Sequence, residues 1–124
     1  MTDTNFGRTI IRIDVYHDAD FDDAVYLPLD GTRPRDLTGK TLELTISPSF
    51  DYDTPILVLS SADSPAGITI DEPLRGGISF FLSQFAIQST LPIGEWVQFL
   101  TLLDGTGRLE IWRGPFMVNP GRRS

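Results

Sequence analysis

The chain has 124 residues, enough for one domain with a real core and too few for two. Its formal charge is −7, with thirteen Asp and four Glu against nine Arg and one Lys, and the basic residues are scattered rather than massed. That balance argues against a nucleic-acid partner, and the absence of cysteine excludes a disulfide framework and a thiolate metal site.

Residues 1–8 are a short, mostly polar arm without the apolar core of a signal peptide, and no apolar run is long enough to span a bilayer. The expectation is a soluble protein made in the cytoplasm, with no membrane partner. Thr9–Tyr16 reads as a first strand with Ile11, Ile13 and Val15 on one face. His17–Asp23 is an acidic connection, and Ala24–Leu29 a second strand whose Pro28 suggests an edge or a strand end. Asp30-Gly31-Thr32 and Arg33-Pro34-Arg35 carry the chain through a turn.

Asp36-Leu37-Thr38-Gly39 is the sharpest turn signal, and the strand after it sets the pattern for the rest. Gly39 can take positive φ, and the side chains of Asp36 and Thr38 can bond nearby backbone. Leu42, Leu44 and Ile46 then alternate with Glu43, Thr45 and Ser47, the period of a half-buried strand. Ser47–Thr54 is a predicted loop, Pro55–Ser60 a strand with a dense apolar run, and Gly67–Ile70 a short one. Ile78, Phe80 and Leu82 share a face of the next, and Ser83 is a plausible N-cap for one helical turn or two before Thr90. In Glu95–Leu103, Trp96, Gln98, Leu100 and Leu102 share a face; Asp104-Gly105 signals a hairpin. Arg108–Arg113 returns, and Gly114-Pro115 predicts a bend or bulge before Phe116–Val118.

Short strands at regular spacing predict an all-β protein: a single antiparallel β-sandwich of immunoglobulin-like architecture, with about eight strands and one short helical turn. The sandwich is expected over residues 9–119 with a polar tail at 120–124, and its core at Leu42, Leu44, Ile46, Leu59, Ile78, Phe80, Leu100 and Ile111.

No motif here carries catalytic chemistry. Asp18-Ala19-Asp20-Phe21-Asp22-Asp23 offers oxygens at alternate positions, as calcium prefers, but Asp23 and Leu29 stand where an EF-hand needs glycine and glutamate. A solvated connection explains it better. His17, the only histidine, has no nucleophile or orienting partner at a supporting spacing, and Gly105 and Gly107 are explained by a hairpin. Glu95 and Glu110 form the one carboxylate pair that glycoside hydrolysis would invite, although acids alternating with apolar residues usually mark the wet face. The reading is a non-enzyme with no cofactor and no metal.

Binding residues are expected among the aromatics. If Leu109 and Ile111 point inward, alternation sets Trp112 outward beside Arg113, a pairing typical of protein contact centres. Tyr26 and Tyr52 join Trp112 and Arg113 as possible interface residues, and with Trp96 they are the candidates for a sugar-binding platform.

An ordered series of landmarks resembles small β-sandwich domains of tailed bacteriophages and prophages, like the N-terminal domain of baseplate upper proteins. The series is Asp20-Phe21-Asp22-Asp23, Gly31-Thr32-Arg33-Pro34, Asp36-Leu37-Thr38-Gly39, Leu57-Val58-Leu59-Ser60 and Gly67-Ile68-Thr69-Ile70. It continues with Ile78-Ser79-Phe80-Phe81-Leu82-Ser83, Leu91-Pro92-Ile93-Gly94-Glu95-Trp96 and Gly114-Pro115-Phe116-Met117-Val118. The Gly-x-Pro turn has one residue more than is usual, Trp96 replaces a tyrosine, and Phe99 replaces an acid. The resemblance implies a virion protein without activity of its own. Its expected partners are tail, baseplate, neck or fibre subunits in a symmetric multi-copy assembly, where both terminal arms would become ordered. No fibre-forming segment is expected after Ser124, so the implied role is an adaptor; head decoration is the other structural option.

Overall fold

The computed structural model describes residues 9–27, 35–48, 55–62, 67–105 and 107–121. The expected N-terminal arm, the turn at Gly31, the loop carrying Tyr52 and the last three residues lie outside these. The described chain forms β1 (Thr9–Ile10), β2 (Ile13–Tyr16), β3 (Phe21–Tyr26), β4 (Thr41–Ser47) and β5 (Leu57–Ser60). After these come β6 (Ile68–Glu72), a 3₁₀ turn (Pro73–Arg75), β7 (Gly77–Leu82), α1 (Gln84–Thr90), β8 (Gly94–Asp104) and β9 (Gly107–Asn119). No helix among the described residues is long and apolar enough to cross a membrane.

Two sheets form an all-β sandwich. The larger has the order β1-β9-β8-β4-β5, with β2 also on β9, and the smaller the order β3-β7-β6. Leu42, Leu44, Ile46, Leu100, Phe116 and Val118 from the large sheet meet Ile68, Ile78, Phe80 and Leu82 from the small one. Phe80 bridges the layers, its ring stacked 6.2 Å from Phe21 and tilted 6.1 Å from Trp112. Ser83 caps α1 as expected, its Oγ accepting the Ala86 N–H at 3.1 Å. The helix adds buried Ile87, and Leu91 follows it into the core.

Not every strand pair is antiparallel. β1 and β2 run parallel to β9 in one continuous register, Thr9 opposite Trp112 and Ile13 opposite Phe116, so they act as one interrupted strand. The interruption at Ile11 and Arg12 falls opposite Gly114 and Pro115. Pro115 has no N–H to contribute to a ladder, and a Cβ on Gly114 would collide with the Ile11 backbone. No register shift marks the bend or bulge expected at Gly114-Pro115; β9 runs through as a strand, and its partner is interrupted instead.

A bulge decides which way Trp112 points. Leu100 lies opposite Trp112 but Thr101 lies opposite Glu110, which leaves Ile111 as an extra residue in β9. One inserted residue reverses the alternation on either side of it. Trp112 consequently shares the inward face of Leu100 and is only 6% exposed, whereas Ile111 is half-buried at the core's margin. Trp112 replaces the expected Ile111 as the core residue, and the expected outward Trp112 is corrected.

Candidate interaction surface

Of the four residues expected at an interface, the three that are described, Trp112, Arg113 and Tyr26, are not brought together. Trp112 is held inside: its indole N–H donates to Gln98 Oε1 at 2.7 Å, and Gln98, also fully buried, donates from Nε2 to the Ile11 carbonyl at 2.8 Å. Arg113, next along β9, faces the other side of the sheet and grips Glu110 through two bonds of 2.8 Å. Tyr26 ends β3 in the other sheet and is 58% exposed. Tyr52 lies outside the described residues. Trp96 is half-buried and donates its indole N–H to the Pro92 carbonyl at 3.0 Å.

Around Tyr26 the structure builds a cluster that the sequence did not announce. Tyr26 stands directly opposite Gly77, and a β6 irregularity after Ile70 sets Glu72 opposite the same glycine. Gly77 has no side chain, so the Tyr26 ring lies across it; a Cβ there would sit 3.0 Å from the ring edge and 3.0 Å from Glu72 Cβ. The phenol O–H donates to Glu72 Oε2 at 2.6 Å, and Arg75 Nη1 donates to Glu72 Oε1 at 3.2 Å. The Arg75 guanidinium carbon also lies 5.5 Å from the Tyr26 ring centroid, within cation–π reach. The hydrogen bond to the Glu72 carboxylate, and then its charge, raises the Tyr26 pKa above the ordinary phenol value. Tyr26 thus stays a donor throughout the neutral range.

The 3₁₀ turn that presents Arg75 is fastened by backbone. Leu27 N–H donates to the Gly76 carbonyl at 2.8 Å and Leu37 N–H to the Pro73 carbonyl at 2.7 Å. Gly76 closes the turn at φ 71°, and a side chain there would meet the Leu27 carbonyl. Leu74, at the apex, is 70% exposed. A fixed backbone thus holds an apolar side chain out in water.

The outer face of the small sheet continues from this cluster. Tyr26–Gly77, Ala24–Ser79 and Asp22–Phe81 are successive cross-strand pairs on that face. It carries small residues in the middle and an aromatic at each end, Phe81 being exposed like Tyr26. Two pair steps along the sheet separate those aromatics by roughly 13 Å. Phe85, in the first turn of α1, is 77% exposed. Phe81 was readable from sequence: if Ile78, Phe80 and Leu82 point in, Phe81 must point out. Arg75, Glu72 and Leu74 gave no such signal.

The acidic connection is shorter than expected, because β3 begins at Phe21 and takes Asp22 and Asp23 into the strand. With Asp14, Val15, Tyr16, Asp20 and Phe21 they line an open cleft of about 280 Å³. Several of these acids already have work in the fold. Asp14 accepts from Arg12 at 2.9 Å and 3.1 Å, which holds its pKa below the ordinary carboxylate value. Asp20 accepts the Gln84 N–H at 2.6 Å, and Asp23 accepts the Ala24 N–H at 2.9 Å. Among the described residues no group of three His, Asp or Glu side chains is placed to hold a metal ion.

His17 is a structural latch rather than a surface side chain. Its Nε2 lies 2.7 Å from the Leu91 carbonyl, its N–H donates to Asn119, and its own carbonyl accepts from Gln88 Nε2 at 2.5 Å. It joins the end of β2 to the C-terminal half of α1 and to β9. The suspected carboxylate pair is not a pair: Glu95 lies opposite Met117 and Glu110 opposite Thr101, roughly 20 Å apart along the ladder. No protein-family model matches this sequence, and none of the curated proteins compared with it matches.

Proposed function

We propose that this chain is a non-enzymatic structural subunit of a bacteriophage or phage-derived particle, an adaptor of the tail, baseplate or neck that docks on neighbouring subunits or fibres. The observation that carries the docking part is the Tyr26–Leu74–Arg75 cluster. The exposed Tyr26 and Arg75 side chains are held by Glu72, and backbone bonds fix the turn that carries Leu74, so less freedom is lost when a partner covers them. Tyrosine and arginine are also the residue types that dominate contact energetics. The particle assignment rests on the ordered landmarks that resemble baseplate-type sandwich domains. The strand order supports it: β9-β8-β4-β5 against β3-β7-β6, with the first strand parallel to the last, is compatible with an immunoglobulin-like topology.

Quantitative mass spectrometry of gradient-purified particles from the source, scaled to the major capsid protein, tests this reading. Copy numbers near a small multiple of three or six support the adaptor, and numbers close to the capsid protein's move the chain to head decoration. Absence from particles overturns the proposal.

A second reading is favoured by one observation, the flat strip between Tyr26 and Phe81 on the outer face of the small sheet. Aromatics flanking small residues on an exposed sheet suit the apolar faces of sugar rings, so a carbohydrate-binding module is the rival. Its binding would depend on Tyr26, with Trp112 buried out of reach. Glycan binding abolished by Tyr26→Ala supports it; no binding to any glycan on an array removes it.

A further inference from the structure

Among the described residues the two sheets end in four edges, and three are defended. On β3, Asp22 and Asp23 are exposed and the Asp23 carboxylate occupies the Ala24 N–H at 2.9 Å. On β6 the register breaks after Ile70, and Asp71 and Glu72 stand beyond the break. The edge formed by β1 and β2 is interrupted at Ile11 and Arg12 and carries the Arg12–Asp14 ion pair. Charges and irregularities of this kind deter a foreign strand.

The fourth edge, β5, has none of them. Leu57-Val58-Leu59-Ser60 contains no charge and no proline, and its register against β4 is unbroken. Ser61 N–H donates to the Leu42 carbonyl at 2.9 Å, and in the same register Leu59 faces Leu44 and Leu57 faces Ile46. Hydrogen-bonded pairs alternate along an antiparallel ladder, so the N–H and C=O of Val58 and Ser60 point away from β4. The Val58 side chain is 40% exposed.

We propose that β5 pairs antiparallel with β5 of a second copy across a two-fold axis, joining two large sheets into one. Such an edge is complementary to itself, since each outward donor on one strand meets an outward acceptor on the other. Among the described residues, charge favours the same place. A second copy also carries −7, and the carboxylates on the β3 and β6 edges repel it there. Among the described residues the acid placed opposite a β5 residue is Glu43, across from Ser60, and it has Arg108 at 4.0 Å. This pairing rests on the reading of the chain as an assembling subunit and adds which edge closes the contact.

The test is sedimentation of the full chain from roughly 10 to 500 µM, with amide spectra recorded over the same range. The expected result is a reversible dimer whose amide shifts move with concentration at Leu57–Ser60. Val58→Pro removes one outward N–H from each chain without touching the β4 ladder, and Val58→Lys adds like charges across the axis. Both are expected to weaken the dimer about tenfold or more while the far-ultraviolet spectrum is unchanged. A chain that stays monomeric throughout overturns the proposal, as does a dimer whose shifts fall elsewhere or which tolerates Val58→Lys. Dimerisation through β5 in a chain that never enters particles would sink the virion reading alone. Presence in particles together with a strictly monomeric chain would sink the pairing alone.

Discussion

The outer faces of the two sheets are treated in opposite ways. On the large sheet, Phe99, Ser47 and Thr101 alternate away from the sandwich core, yet all three are buried. On the small sheet, the corresponding face shows Asp22, Ala24, Tyr26 and Phe81 to solvent. The large sheet is covered on both sides along its middle, whereas the small sheet is covered on one. Substitutions at the covered middle of the large sheet should therefore register as lost stability, and those on the outer face of the small sheet as lost binding at nearly constant stability.

The strongest challenge to that division is Trp112→Ala. It empties the contact between the sheets and strands the buried Gln98 amide, and should cost about 3–5 kcal/mol in chemical denaturation. Trp112→Phe, which keeps the ring and loses only the N–H bond to Gln98, should cost less, about 1–3 kcal/mol. Gly114→Ala forces a methyl group against the Ile11 backbone and should cost about 1–3 kcal/mol, with faster amide exchange confined to β1 and β2. Ser83→Ala removes the α1 cap for about 1 kcal/mol.

The Arg12–Asp14 pair should matter less. Asp14 has a lowered pKa, so its contribution is present above the unfolded carboxylate value of about 3.9 and fades as the pH falls through the folded value. Arg12→Ala should lower the midpoint slightly at neutral pH, and the difference from wild type should vanish in acid. Tyr26→Phe and Arg75→Ala stand at the other extreme: stability should change by less than about 0.5 kcal/mol, while partner capture or particle incorporation falls. A loss of several kcal/mol at Tyr26 would erase the contrast between the two faces.

Much of the sandwich was legible because its strands obey one rule. Leu42, Leu44 and Ile46, then Ile78, Phe80 and Leu82, alternate without interruption, and each set lies in the core as expected. Local chemistry was equally readable at Ser83, whose hydroxyl caps the helix it precedes. The rule failed where a single residue was inserted. Nothing local in Leu109-Glu110-Ile111-Trp112 says that Ile111 is the bulge, because the insertion is defined only against Leu100 and Thr101 on the partner strand. The parallel pairing of β1 and β2 escaped for the same reason, its partner lying about a hundred residues away in sequence. The Tyr26 cluster depends on a glycine opposite the ring and a register break in β6, both tertiary facts.

Strand order also carries a schedule. β9 lies between β8 and the pair formed by β1 and β2, so the strand made latest among those described is an interior strand of the large sheet. During synthesis β1 and β2 have no partner, and Leu100 has no Trp112 beside it, until residues 112–119 have left the ribosome. Such late, long-range closure slows folding. It also makes the sandwich an inspection of its own completeness: a chain cut short before β9 would leave β8, β1 and β2 without their common neighbour, an open sheet exposed to degradation.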